Sequence, residues 1–299
     1  MFDLLTVPFS FTFMQNALYA GLLTVVASSL IGTWVVMRGM AFMGDALAHG
    51  VLPGIAIAYI VGGNLLLGGA LSAAVMIGGV TVASARTRLG DDTAIGLLFV
   101  GMLAAGVAII SRGGAYAGDL TTILFGEPIG VTAAHLRTLL VATVVTVAVT
   151  VALYRPFLVL SFSRAKAKTL GLQPGLAHLA MLALIAMVVI SSFRTVGTML
   201  VFAFIVAPPA TAALVSRRVP VMMLVAMGIG AVCVVAGLLL SYHLGTATAA
   251  TIAGLTVLVF FVVLAVREAV ETLRGWRARR GDDVDGTDAP SGPSAAVPA

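Results

Sequence analysis

Nine apolar stretches divide this chain, at residues 13–37, 45–62, 64–85, 93–111, 134–154, 175–193, 195–216, 221–242 and 247–266. A hydrocarbon core about 30 Å thick takes roughly 20 such residues in helix, because no water is present to satisfy open backbone groups. The expected fold class is therefore all-α, a polytopic transmembrane helix bundle of about nine spans. Eight or ten follow if the tight joins at 62–64 and 193–195 are divided differently. With 60% of its 299 residues hydrophobic and 10% charged, and a mean hydropathy of +1.12, the chain lies far outside the range of soluble domains. The single cysteine, Cys233, sits in an apolar run and offers neither a disulfide framework nor a thiolate metal site.

Charge fixes the expected orientation. With the N-terminus outside, the inner side receives Arg38, Arg86, Arg88, Arg155, Arg164, Lys166, Lys168, Arg217, Arg218, Arg267, Arg274, Arg277, Arg279 and Arg280, most of the 17 basic residues. Only Arg112, Arg137 and Arg194 fall outside, the pattern of the positive-inside rule. The same scatter argues against nucleic acid, which needs a contiguous basic face. Residues 1–12 lack a basic signal-peptide start and read as a retained segment lying along the membrane surface. Residues 113–130 read as an outer loop with a short surface or re-entrant helix. The segment 267–299 is expected to be cytoplasmic, with a disordered tail from about residue 281, where Pro, Gly and Asp dominate. Trp34, Tyr154 and Tyr242 suit either interfacial belts or ordinary packing.

Small residues crowd the spans, as in GGALSAAVMIGG at 68–79 and MGIGAVCVVAG at 227–237, which suits close helix approach in lipid. Pro53 and the pair Pro208–Pro209 fall inside spans. Each removes a backbone donor, so each is either a structural kink or part of a broken helix lining a pathway.

Within these spans Asp45 stands out as the sole carboxylate, and His49 as the most deeply placed of four histidines. If the chain is helical from Arg38 inward, Asp45 lies ~10 Å and His49 ~16 Å from the inner surface. At positions i and i+4 they share a helix face. An ionised Asp at that depth costs ~3 kcal/mol unless paired or wet. The pair is either a hydrogen bond pinning one helix to its neighbour or half of a four-coordinate site for a divalent cation, completed by a second copy on a twofold axis. His135, His178 and His243 lie near span ends, where interfacial polar roles suffice.

No GxxxxGK[ST] phosphate loop, HExxH or GxSxG occurs, so ATP hydrolysis, if used, must come from a partner. The inner loop 155–174, RPFLVLSFSRAKAKTLGLQP, has distinct character. Ser163 can cap a short basic helix over Arg164 to Leu170, stopped by Gly171 and Pro174. It reads either as a handle for another protein or as a contact with anionic head groups.

The runs MRGMAFMGDALAHGVLPGIAIA (37–58), DDTAIGLLFVGMLAAG (91–106), LFGEPIGV (124–131) and TVGTMLVFAFIVAPPATAALVSRR (195–218) occur in one order. Together they resemble the ABC-3 permeases, the membrane subunits of bacterial zinc, manganese and iron importers. The resemblance implies a multi-pass protein of the cytoplasmic membrane with no tightly bound cofactor, working as a homodimer or with a paralogue. The implied partners are two cytoplasmic ATPase subunits and an extracytoplasmic metal-binding lipoprotein. It implies that Asp45 and His49 coordinate the transported Zn, Mn or Fe ion. It also implies that the segment around Arg164, Ala167 and Gly171 couples to the ATPase. Ser163 and Arg164 replace the acidic residues often found at the head of that helix, while Ala167 and Gly171 keep its Ala-x-x-x-Gly spacing. A self-sufficient secondary or proton-coupled carrier, and a permease for metal chelates, are the alternatives.

Overall fold

The computed structural model describes residues 8–86, 91–111, 130–162, 173–193 and 195–285. After a 3-10 turn at Pro8–Ser10, eleven α-helices follow among the described residues. They are α1 (Thr12–Met37), α2 (Ala41–Gly50), α3 (Leu52–Ile60), α4 (Leu65–Arg86), α5 (Asp91–Ser111), α6 (Ala133–Ala152), α7 (Tyr154–Phe162), α8 (Pro174–Ser192), α9 (Thr198–Val215), α10 (Val219–Leu244) and α11 (Thr248–Asp285). Among the described residues eight stretches are long and apolar enough to cross a membrane, with α2 and α3 together forming one, and α9 is a shorter apolar helix. The expected all-α membrane bundle is thus observed, and α9 occupies the expected span 195–216.

Cross-helix contacts sort the helix ends into two groups. Arg38 at the end of α1 meets His178 near the start of α8, and Arg267 of α11 meets the Leu214 carbonyl of α9. At the opposite end Asn16 of α1 bonds the Val131 carbonyl, and a cavity of about 290 Å³ gathers Gly63–Leu66, His135 and Ser191. The positive-φ glycines Gly62 and Gly197 make the two tight joins, at 69° and 81°, a conformation that costs glycine nothing.

Helix α1 belongs to both halves of the core. Its second half packs Ile31, Trp34 and Val35 with Met43 and Leu47 of α2, Ile185 and Val189 of α8, and Ile205 of α9. Its first half packs Val25 with Phe204 of α9, Val234 of α10 and Ile252 of α11. Trp34 is fully buried, edge-on to Tyr154 at 5.4 Å and to Phe157 at 5.7 Å. Of the two roles open to it, core packing is the one the structure shows.

In lipid, apolar faces gain little from meeting one another, so packing depends on close fit and hydrogen bonds. Pro209 has no N–H for the Ile205 carbonyl four residues earlier. That carbonyl abuts Gly32 of α1 so closely that a Cβ there would overlap it. Gly54 and Gly68 bring α3 and α4 together in the same way, each facing the other's carbonyl. Several buried hydroxyls return to their own helices, as Thr24 donates to the Ala20 carbonyl and Thr211 to that of Ala207 at 2.8 and 2.7 Å. Thr143 of α6 instead crosses to the Leu23 carbonyl of α1 at 3.2 Å.

Two boundaries differ from expectation. Residues 155–162, read as loop, belong to α7, because Phe157 and Leu160 bury against the core. Helix α11 continues to Asp285, a few residues into the segment read as tail. Of the segment 113–130, read as an outer loop, residues 113–129 lie outside the described residues, as do the coupling positions Arg164, Ala167 and Gly171.

Candidate functional site

Helix α1 does not run on into α2. The Arg38 N–H bonds the Trp34 carbonyl, Gly39 that of Val36, and Met40 that of Val35, with Gly39 at φ 65°. These bonds are the Schellman ending, which needs a left-handed residue and finds it in glycine. Asp45 is therefore four residues into a new helix rather than seven below Arg38 along one axis. The expected depths shrink to ~6 Å for Asp45 and ~12 Å for His49 below Ala41. His49 still falls near the middle of the Ala41–Ile60 span.

The span is broken just after His49. Pro53 brings no N–H to the His49 carbonyl, α2 ends at Gly50, and α3 starts at Leu52. Three neighbours hold the break. Ser72 of α4 donates to the Gly50 carbonyl at 2.8 Å, the Met76 side chain fills the space a Cβ on Gly50 would need, and Gly106 of α5 lies against Leu52 and Pro53. Pro53 thus sits just past a one-residue interruption of the span, at Val51.

Helix α2 has two unlike faces. Met43, Ala46, Leu47 and Gly50 are buried. Phe42, Asp45 and His49, at i, i+3 and i+7, form a stripe that stays partly open, with Phe42 43% exposed and the Asp45 and His49 side chains 27% and 23%. His49 Nε2 lies 3.6 Å from Asp45 Oδ1, close enough for one ion to touch both. Phe99 of α5 stands edge-on to the rings of Phe42 and His49, at 5.6 and 5.7 Å. Gly44, beside Asp45, faces Ile205 and Phe202 of α9. His49 Nδ1 is buried and has no hydrogen-bond partner among the described residues.

Among the described residues no group of three or more His, Cys, Asp and Glu side chains is close enough to hold a metal. Asp45 and His49 thus stand on a partly open face as a pair of such side chains, with no third beside them among the described residues. The remaining described histidines have local roles. His135 forms a capping box with Thr132 at the start of α6, His178 contacts Arg38, and His243 packs on Tyr242. The Arg38–His178 contact is not visible in the sequence, where the two are 140 residues apart.

Residues 10–267 match the ABC 3 transport family. The chain belongs to this family. It is similar to the manganese transport system membrane protein MntC of Halalkalibacterium halodurans, 32% identical over 93% of this chain and 96% of that one. It is also similar to the chelated iron transport system membrane protein YfeD of Yersinia pestis, 32% identical over 92% of each. Among solved structures it resembles PsaBC from Streptococcus pneumoniae, with a TM-score of 0.79 and 26% identity over 87% of this chain and 94% of that one. As an ABC-3 protein with this array of apolar helices, the chain is a multi-pass membrane permease subunit.

Proposed function

We propose that this ABC-3 permease is the membrane subunit of an importer of divalent transition-metal ions, and that the ion passes through a site built from Asp45 and His49 of two copies. The observation that carries the reading is the open stripe on α2: a carboxylate and an imidazole 3.6 Å apart, beside a helix break. Two such pairs meeting on a twofold axis supply four oxygen and nitrogen ligands. Carboxylate and imidazole accept manganese, iron and zinc alike. The names of MntC and YfeD favour manganese and iron. A paralogue in place of the second copy would serve equally if it brings the same stripe. A cytoplasmic ATPase subunit and an extracytoplasmic metal-binding lipoprotein complete the proposed assembly, with the Arg164–Gly171 segment docking the ATPase.

Transit requires that binding be good enough to admit the ion and weak enough to release it. The unpartnered His49 Nδ1 supports this. A metal-bound imidazole normally donates its other N–H to an acceptor that fixes the ring and strengthens the ligand. With no such acceptor among the described residues of one copy, His49 would be a looser ligand than those of structural sites.

Asp45→Ala and His49→Ala are expected to abolish metal uptake in proteoliposomes carrying the permease, its ATPase and the delivery protein, while melting temperature and complex assembly stay unchanged. Wild-type uptake by both variants would refute the site. Uptake by the permease alone under an ion gradient, with no ATPase, would favour the secondary carrier.

A further inference from the structure

Side-chain contacts of Arg38 join the turn between α1 and α2 to the second turn of α8. Arg38 Nη1 lies 3.0 Å from His178 Nδ1 and 3.6 Å from Met181 Sδ. A guanidinium has donors only, so His178 accepts through Nδ1 and carries its proton on Nε2. His178 and Met181, three residues apart, present one face of α8 to the arginine.

Both ends of this bond are stiffly mounted. On one side, the Schellman ending uses the N–H groups of Arg38, Gly39 and Met40, leaving no slack before α2 begins at Ala41. Asp45 follows on the second turn of α2. On the other side, α8 starts at Pro174 with Gln173 as its N-cap, where the segment carrying Arg164, Ala167 and Gly171 ends. Above the bond, Met181 and Ile185 of α8 share a core with Met43 and Leu47 of α2. Packed interiors transmit strain rather than absorbing it. A displacement of the N-cap of α8 therefore reaches Asp45 through one helix turn, the contacts of Arg38 with His178 and Met181, and one rigid corner.

We infer that Arg38 and His178 form a positioning strut for transport, tying the foot of α8 to the turn that carries Asp45 and His49. The inference rests on the proposed transit site and on the coupling role of the segment before α8. Neither side chain touches the ion. Their part is to make the site open and close when the ATPase moves α8.

The test uses the full complex of permease, ATPase and delivery protein in liposomes, loaded with Mn²⁺, together with Mn²⁺ binding to the purified permease. His178→Phe keeps a ring and removes the acceptor, and His178→Gln keeps an acceptor. Arg38→Gln approaches the bond from the other helix. For His178→Phe and Arg38→Gln the expected result is at least a tenfold fall in Mn²⁺ taken up per ATP hydrolysed, with Mn²⁺ affinity within twofold of wild type. His178→Gln is expected to recover most of the coupling, and the double variant to lose no more than either single one. Unchanged coupling in both single variants overturns the strut, as does loss of Mn²⁺ affinity in step with uptake, the mark of a merely structural role. Asp45→Ala in the same assay separates the two ideas: it removes Mn²⁺ binding if the transit site is right, whatever His178 does.

Discussion

Two glycines on neighbouring helices face Ile205 with opposite tolerances. A Cβ on Gly32 would overlap the Ile205 carbonyl, whereas one on Gly44 would sit 3.5 Å from Ile205 Cγ2, an ordinary contact. Gly32→Ala is therefore expected to cost ~1–3 kcal/mol, the usual range for overpacking. Gly44→Ala is expected to be neutral, or to gain up to ~1 kcal/mol from helix propensity. Thermal unfolding of the two purified variants checks this, and equal melting temperatures would show that α9 yields freely at Ile205. At this scale the sequence displayed Asp45 and His49, because an isolated carboxylate in an apolar span is costly enough to need a reason. It could not display Arg38–His178 or Ser72–Gly50, since neither pair has a spacing that marks it; only the folded bundle brings them together.

At the level of helices, proline places the free carbonyls. Pro53 frees that of His49, and Pro208 and Pro209 free those of Phe204 and Ile205. Replacing Pro53 by Ala restores a donor opposite the His49 carbonyl and is expected to fuse α2 with α3. The variant should unfold at the same or a higher temperature yet import metal more slowly, measured as uptake in proteoliposomes. Faster or unchanged uptake would mean that the break serves packing alone. The spans themselves were legible because membrane thickness imposes their length, a constraint that acts locally. The start of α2 was misjudged by a few residues. Gly39, the residue whose left-handed φ ends α1, is the signal that could have corrected it. Helix α7 was missed for a different reason: Phe157 and Leu160 become a buried face only once α1 and α8 are beside them.

Across the whole molecule, the exposed stripe of α2 demands a covering. Phe42 lies at its N-terminal end, 43% exposed and three residues from Asp45. If two copies meet along this stripe, a cysteine at Phe42 is expected to cross-link to the same residue of a second copy in native membranes under mild oxidation. The native Cys233 is buried and gives a silent background. A Phe42→Cys protein that stays monomeric on non-reducing gels, while a cysteine at Val232 of α10 dimerises, would move the interface elsewhere. Val232 is 68% exposed.

If the ligands are divided between two subunits, as proposed, there is a physiological corollary. A newly inserted copy waiting alone in the bilayer would hold only half of the proposed donor set, so unfinished assemblies would neither poison the cell with stray metal nor dissipate its gradients. Conductance would begin only when the quaternary structure does.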